Sequence, residues 1–212
     1  GGVARAYFKP ESLNELISFL KRFGSKEKIF LLGAGSNVLV EDERFQGVVI
    51  KLGKNFSNIS LLSETTLVAG SATIDKKLSE YACENNIGGF EFLSCIPGTI
   101  GGGLKMNSGC FQREFKDVLL SIQAVDKNGK IFAIPSSEIK FIYRGNDLSK
   151  DLIFLSASFK GKFEDKQIVQ SIINSLKSKK DQSQPTKIKT GGSTFKNPVN
   201  QTNEKVWELI KR

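Results

Sequence analysis

Apolar residues recur at helical spacing at Leu13, Leu16, Ile17 and Leu20, directly after Ser12 and around Glu15. Ser12 with Glu15 three positions later is a capping-box pattern and predicts a helix that starts there. Gly24 is placed to stop it in a left-handed conformation. The pattern then shortens. Ile29 to Leu32 is a continuous apolar run leading into Gly33-Ala34-Gly35-Ser36-Asn37, after which Val38-Leu39-Val40 reads as a return to extended chain. Val48 to Leu52 predicts another buried strand, so the opening of the chain is α/β in texture.

The texture then becomes α+β. Ile59 to Leu62 and Thr66 to Ala69 predict a hairpin around Ser63-Glu64. A second helix over about Ile74 to Cys83 places Ile74, Leu78, Tyr81 and Ala82 on one face, and Gly88-Gly89 ends the connection. Val118 to Val125 alternates and meets Ile131 to Ile134 across Asp126-Lys127-Asn128-Gly129, where Asn-Gly is a strong hairpin signal. Ile139, Phe141 and Tyr143 alternate ahead of a turn at Gly145-Asn146-Asp147, and Leu152 to Phe159 is a further strand. From about Gln167 the chain predicts a helix through Ile168, Ile172 and Leu176, a polar loop around Gln182 to Pro185, and a last partial helix containing Trp207.

Composition narrows the functional classes. With 212 residues the chain has room for one large domain or two modest ones, and 39% apolar residues suffice for a core. No apolar run approaches the ~20 residues that span a bilayer, and Gly1-Gly2-Val3-Ala4-Arg5 is not a leader, so a cytoplasmic location is expected. Without an initiator Met, the chain reads as a portion of something longer. Three cysteines, Cys83, Cys95 and Cys110, without CxxC spacing argue against a disulfide framework and a structural zinc site; small buried thiols and no metal are expected. The absence of histidine from the chain removes Ser-His-Asp and Cys-His chemistry and any histidyl-linked cofactor. The net charge of +9 rests on scattered lysines with six arginines, unlike the clustered arginines of nucleic-acid binders. The one dense run, Lys177 to Lys180, reads as solvated surface, with attraction of a polyanionic small molecule as the second reading.

Four segments carry candidate chemistry. In Gly33-Ala34-Gly35-Ser36-Asn37 the backbone amides can turn toward a pyrophosphate and Ser36 and Asn37 add donors, although an ordinary tight turn fits equally. Pro97-Gly98-Thr99-Ile100-Gly101-Gly102-Gly103 exposes backbone as a wall for a flat ligand, and Asn107-Ser108-Gly109 follows about two helical turns on. Tyr143-Arg144 offers an arginine as an anion or enolate stabiliser. Gly192-Ser193-Thr194-Phe195-Lys196-Asn197-Pro198 combines a hydroxyl, a phosphate-competent lysine and an amide.

In this order and spacing, the four segments resemble the motifs of the UDP-N-acetylenolpyruvoylglucosamine reductases, with Gly1-Gly2 matching the family's early GG-x-A. The resemblance implies a two-part FAD-binding fold of the vanillyl-alcohol-oxidase type over residues 1–160, with parts near 1–52 and 53–160. It further implies a partial α+β substrate-binding domain over 161–212. It implies non-covalent FAD, NADPH as electron donor and a UDP-sugar substrate on the route to peptidoglycan. Arg144 and Ser193 match the stabilising arginine and the proton-donating serine. Gly33, Ala34, Gly35, Ser36, Asn37, Pro97, Gly98, Thr99, Gly101, Gly102, Asn107 and Gly109 match cofactor-binding positions, and Tyr143, Lys196 and Asn197 match substrate positions. A monomer that binds neither nucleic acid nor membrane is expected. Departures stand at Cys95, at Asn107-Ser108-Gly109-Cys110-Phe111-Gln112 and at Asn146, and the family's catalytic Glu lies in a segment that would follow Arg212. From the residues alone, another flavoprotein of this fold and a basic, non-catalytic binding module remain alternatives.

Overall fold

The computed structural model describes residues 2–183, Phe195, Asn197, Thr202 and residues 206–210. The chain begins with strand β1 (Ala4–Phe8), helix α1 (Leu13–Phe23), strand β2 (Ile29–Leu31) and strand β3 (Phe45–Ile50). β1 and β2 flank β3 in a parallel three-stranded sheet, and α1 is the crossover between its edges. Ser12 caps α1 as the pattern predicts, its hydroxyl accepting from the Glu15 N–H at 3.2 Å. The Glu15 carboxylate, however, accepts from the N–H of Glu11 at 2.8 Å, one residue before the cap. Leu16 and Leu20 on the inner face of α1 are fully buried against Val48 and Ile50.

Two expectations for this region do not hold. Gly24 ends α1 in a right-handed conformation, with φ −56° and ψ −39°, so it is not a left-handed stop. Glycine is needed there because a Cβ would collide with the carbonyl oxygen of Lys127. Val38-Leu39-Val40 pairs with no strand among the described residues, and Leu39 is 97% exposed. β-branched residues favour a strand only where a neighbouring strand offers partners, and none is presented to this segment.

The next unit is a five-stranded antiparallel sheet with Ile153–Lys160 at its centre. On one side lie β5 (Thr66–Gly70) and β4 (Ile59–Ser63), the predicted hairpin; on the other lie Leu119–Val125 and Ile131–Pro135. The last two strands join through the expected Asp126–Gly129 turn. There the Asp126 carboxylate accepts from the N–H groups of Asn128 at 2.8 Å and Lys130 at 2.9 Å, and Gly129 takes a φ of +82°. Helices α2 (Asp75–Glu84) and α3 (Ile100–Met106) bury Leu78, Ala82, Ile100 and Leu104 with Phe90, Phe92, Phe115, Phe154 and Phe159. Each buried Leu, Ile or Phe among them contributes about 1.5–3 kcal/mol of transfer free energy. Ile74, placed by pattern on the packed face of α2, is its N-cap residue and is 39% exposed.

Helix α4 (Lys166–Ser183) buries Val169 and Ile173 against Cys83, while Ile168 and Ile172 of the predicted stripe are exposed. Both pairs are spaced i, i+4, so periodicity alone does not choose between them; docking on α2 does. Lys180, in the basic run read as solvated, donates from Nζ to the Cys95 carbonyl at 2.6 Å. The predicted last helix is α5 (Val206–Ile210).

Candidate functional site

Between the two sheets runs a cleft of about 820 Å³. One wall comes from the loop after β2 (Gly33, Ala34) and the end of β3 (Lys51, Leu52). The other comes from the segment after β5 (Ser71, Ala72, Ile74), the start of α3 (Thr99, Gly101, Gly102) and the stretch from Ile142 to Phe154. The two glycine segments, about 65 positions apart in sequence, meet here. A Cβ on Gly33 would lie 2.8 Å from Oγ1 of Thr99, so only glycine lets the loop come this close. Leu52, Ile74, Met106, Leu148, Leu152 and Phe154 supply the apolar lining.

An account of backbone donors separates the roles of the two segments. At the start of α3 the N–H of Ile100 donates to Thr73 O and that of Gly101 to Ser71 O, both at 2.9 Å. The N–H of Gly102 donates to the Thr99 hydroxyl at 3.4 Å and that of Gly103 to Thr99 O at 2.8 Å. The first turn of α3 therefore has no spare donor, and its glycines offer flat backbone surface instead. In the Gly33 to Asn37 loop, by contrast, the N–H groups donate to no acceptor among the described residues. Open amides on a glycine loop suit an oxyanion, and flat glycine backbone suits a ring system. The site thus fits an adenine dinucleotide with a flat redox-active ring, as FAD is.

Charge points the same way. Lys51, Lys105, Lys127, Lys150 and Arg144 line the cleft, where Asp151 is the one acid among the described residues and is engaged by Lys127 at 2.7 Å. Lys105 donates to Ser149 O at 2.9 Å and lies 4.9 Å from the Phe154 ring centre. Burial, the leading effect, lowers its pKa from the usual lysine value; Asp151 counteracts this and Lys150 adds to it. Arg144 is not at the end of a strand as expected. Phe141–Ile142 and Gly145–Asn146 are two short paired strands, so Tyr143-Arg144 is itself the turn. Arg144 holds a left-handed φ of +59°, an unfavourable backbone for a residue with a Cβ, and this conformation carries its side chain to the cleft.

The structure brings Gly33, Ala34, Thr99, Gly101, Gly102 and Arg144 into one cleft. Gly35, Ser36, Asn37, Pro97 and Gly98 lie in the adjoining loops but not in the cleft lining. Asn107 is held by the fold. It is buried, its amide donates to Glu114 Oε2 at 3.0 Å and its oxygen accepts from Lys116 N at 3.2 Å, so its side chain serves the fold. At Gly109 a Cβ would strike the carbonyl of Arg113. Tyr143 Oη accepts from the N–H of Asn197 at 3.4 Å, joining two predicted substrate positions. Ser193 and Lys196 lie outside the described residues.

Sequence reasoning missed the lining lysines, because no motif marks them. It also missed Asp75, which is fully buried beneath the Pro97–Thr99 turn, with a built Cβ on Gly98 only 2.8 Å from its Oδ2. Neither carboxylate oxygen has a partner among the described residues, and burial pushes the pKa up to about 8. Its visible signal was spacing: Asp75 precedes the buried Leu78 and Ala82 by three and seven positions, on the packed face of α2.

A sheet-to-sheet cleft with an open-amide glycine loop facing a glycine-walled helix start defines a flavin-binding protein, and residues 4–134 match the FAD binding domain family. UDP-N-acetylenolpyruvoylglucosamine reductase of Pelagibacter ubique is 65% identical over 211 residues, all of this chain and 70% of that protein. The Rickettsia typhi enzyme of the same name is 45% identical over the whole chain and 70% of its own length. The crystal structure of UDP-N-acetylenolpyruvylglucosamine reductase from Thermus caldophilus superposes with a TM-score of 0.83 at 27% identity, covering 97% of this chain and 71% of that one. Alkyldihydroxyacetonephosphate synthase, at 18% identity and a TM-score of 0.53, shares the fold alone. The fold is the two-part FAD-binding fold of the vanillyl-alcohol-oxidase type. The chain belongs to the UDP-N-acetylenolpyruvoylglucosamine reductase family.

Proposed function

We propose that the protein reduces UDP-N-acetylenolpyruvoylglucosamine to UDP-N-acetylmuramate, a step of peptidoglycan precursor synthesis, with NADPH as electron donor and FAD held non-covalently in the cleft. The observation that carries this reading is the Gly33 loop, with its open amides, pressed against Thr99 beside an apolar lining. FAD, when bound and reduced, supplies a hydride to the enolpyruvyl methylene carbon. The chain's own groups handle the charge and the proton. Arg144, fixed by its left-handed turn, sets a permanent positive charge where the enolate oxygen develops. Ser193 is the proton donor to the neighbouring carbon, a role supported by its place in the Gly192 to Pro198 motif. Lys196 and Asn197 contact the UDP-sugar, and Tyr143, bonded to the Asn197 N–H, shapes the pocket edge. Ser36 and Asn37 complete the pyrophosphate loop, with Pro97 and Gly98 backing the ring wall.

Among the described residues no helix is long and apolar enough to cross a membrane. A cytoplasmic monomer acting on a small molecule is the accompanying proposal. The purified protein should be yellow, and acid precipitation should release its flavin entirely to the supernatant; flavin left in the pellet would refute non-covalent binding. Gly33→Val should weaken FAD binding by about tenfold or more, since ~1.4 kcal/mol of lost contact already has that effect. The added side chain would enter the space held by Thr99. Fluorescence titration with FAD, on protein whose circular dichroism is unchanged, reads this directly.

A further inference from the structure

Cys95 closes the 3-10 turn Glu91–Cys95 and is buried; Cys110 lies in the short strand Gly109–Cys110 and is half-buried. Residues 96–109 between them contain the whole ring wall, from Pro97 through the start of α3 to Gly109. The strand that carries Cys110 packs against the turn that ends in Cys95, so the two ends of that wall lie side by side. Burial is the larger cause of a raised Cys110 thiol pKa, and the Cys95 thiol adds to it through charge and hydrogen bonding.

The surroundings hold the pair in place. Cys110 pairs with Arg113, and the connecting Phe111-Gln112 is a two-residue turn with φ of +53° and +63°, conformations that side chains disfavour. A strained turn of this kind fixes the strand end where a looser loop would let it wander. Lys180 of α4 donates to the Cys95 carbonyl at 2.6 Å, and its charge favours the thiolate of Cys110. The Ser94 hydroxyl lies 3.7 Å from Cys95 Sγ. Cys83 is set apart, buried between α2 and α4, where its sulfur faces Lys166 O at 3.6 Å.

We propose that Cys95 and Cys110 are a redox pair that closes to a disulfide across the base of the flavin wall, and that closure slows the exchange of FAD. The second half rests on the reading that this wall holds FAD. The oxidant is a low-molecular-weight disulfide such as oxidised glutathione. Cys110, the more exposed thiol, attacks as thiolate; a bond forms between its sulfur and one glutathione sulfur, and the other glutathione leaves as thiolate. Cys95, after losing its proton to solvent, attacks Cys110 Sγ and expels the second glutathione. Two protein thiols lose two electrons, one small disulfide gains them, and the two protons end on two molecules of glutathione. Closure ties the turn before Pro97 to the strand after α3, so the wall can no longer open at its base.

The holoprotein is incubated with oxidised glutathione at mildly alkaline pH, denatured, and its thiols counted with an aromatic disulfide reagent. The count should fall from three to one, with Cys83 free and a cross-linked peptide pair containing Cys95 and Cys110. Cys110→Ser should give no cross-link. FAD loss on dilution, followed by flavin fluorescence, should be several-fold slower for the oxidised holoprotein, restored by dithiol reductant and unaffected by glutathione disulfide in Cys110→Ser. Three free thiols after treatment, or glutathione adducts without a cross-link, would overturn the pair. A cross-link with unchanged FAD loss would overturn the clamp. A reduced protein that never takes up FAD would instead strike the cofactor reading, while the thiol count still judges the pair.

Discussion

Arg144→Ala is expected to leave reduction of the flavin by NADPH within a few-fold of the parent rate and to slow its re-oxidation by the enolpyruvyl sugar about 10²–10³-fold. The first half-reaction develops no negative charge on the sugar, so a cation aimed at the enolate has nothing to stabilise there. The second half-reaction builds that charge, and a preorganised donor is worth most at this point because it need not reorient. The left-handed backbone at Arg144 is what preorganises it: the turn between Phe141–Ile142 and Gly145–Asn146 fixes the Cα–Cβ direction toward the cleft. Arg144→Lys should recover only part of the loss, since a point charge on a flexible stem lacks the planar fork. Stopped-flow traces at the flavin band separate the halves. Equal slowing of both would mean that Arg144 holds cofactor and not the developing enolate.

Asp75→Asn is expected to stabilise the fold at neutral and alkaline pH by several kcal/mol and to have no such effect in acid. Burial raises the folded pKa of Asp75 from 3.8 to about 8. Below the unfolded value both states carry the proton and nothing is lost. Between the two values the unfolded chain is ionised while the folded chain keeps its proton, so stability falls by about 1.4 kcal/mol per pH unit. Above the folded value the buried group ionises too and the loss levels off. Stability conferred by the neutral carboxyl is thus present in acid and is lost as pH rises through the folded pKa. Asparagine keeps the shape and cannot ionise, so its advantage should grow from pH 4 to pH 8. Urea midpoints at both values measure it; an equal difference at the two would show that Asp75 does not titrate as a buried group.

What could be read from the sequence was what neighbours in the chain decide. The Ser12 cap and the Asp126–Gly129 hairpin need only residues within one or two turns, and both are as the pattern predicts. The glycine loops at Gly33 and Thr99–Gly102 were legible because glycine clusters report close approach, and the approach between them is real. The rest depended on distant partners. Gly24 is set by the Lys127 carbonyl, the buried face of α4 by Cys83, and the lack of pairing at Val38–Val40 by a strand that is not there. The cleft lysines Lys51, Lys105, Lys127 and Lys150 come from four places in the chain that only the folded arrangement brings together.

Leu16 and Leu20 of α1 and Val48 and Ile50 of β3 pack in a single cluster with Val125, Ile153 and Leu155 of the larger sheet. The smaller sheet therefore has no interior of its own apart from this shared cluster, and separating the two sheets would expose apolar surface on both. The halves should melt in one transition, and the smaller sheet with α1 should not survive excision as an independent unit. The cleft inherits that cooperativity: parting the two sheets would tear the interior behind it, so a ligand must exchange through local movement of one wall and not through a hinge between the sheets.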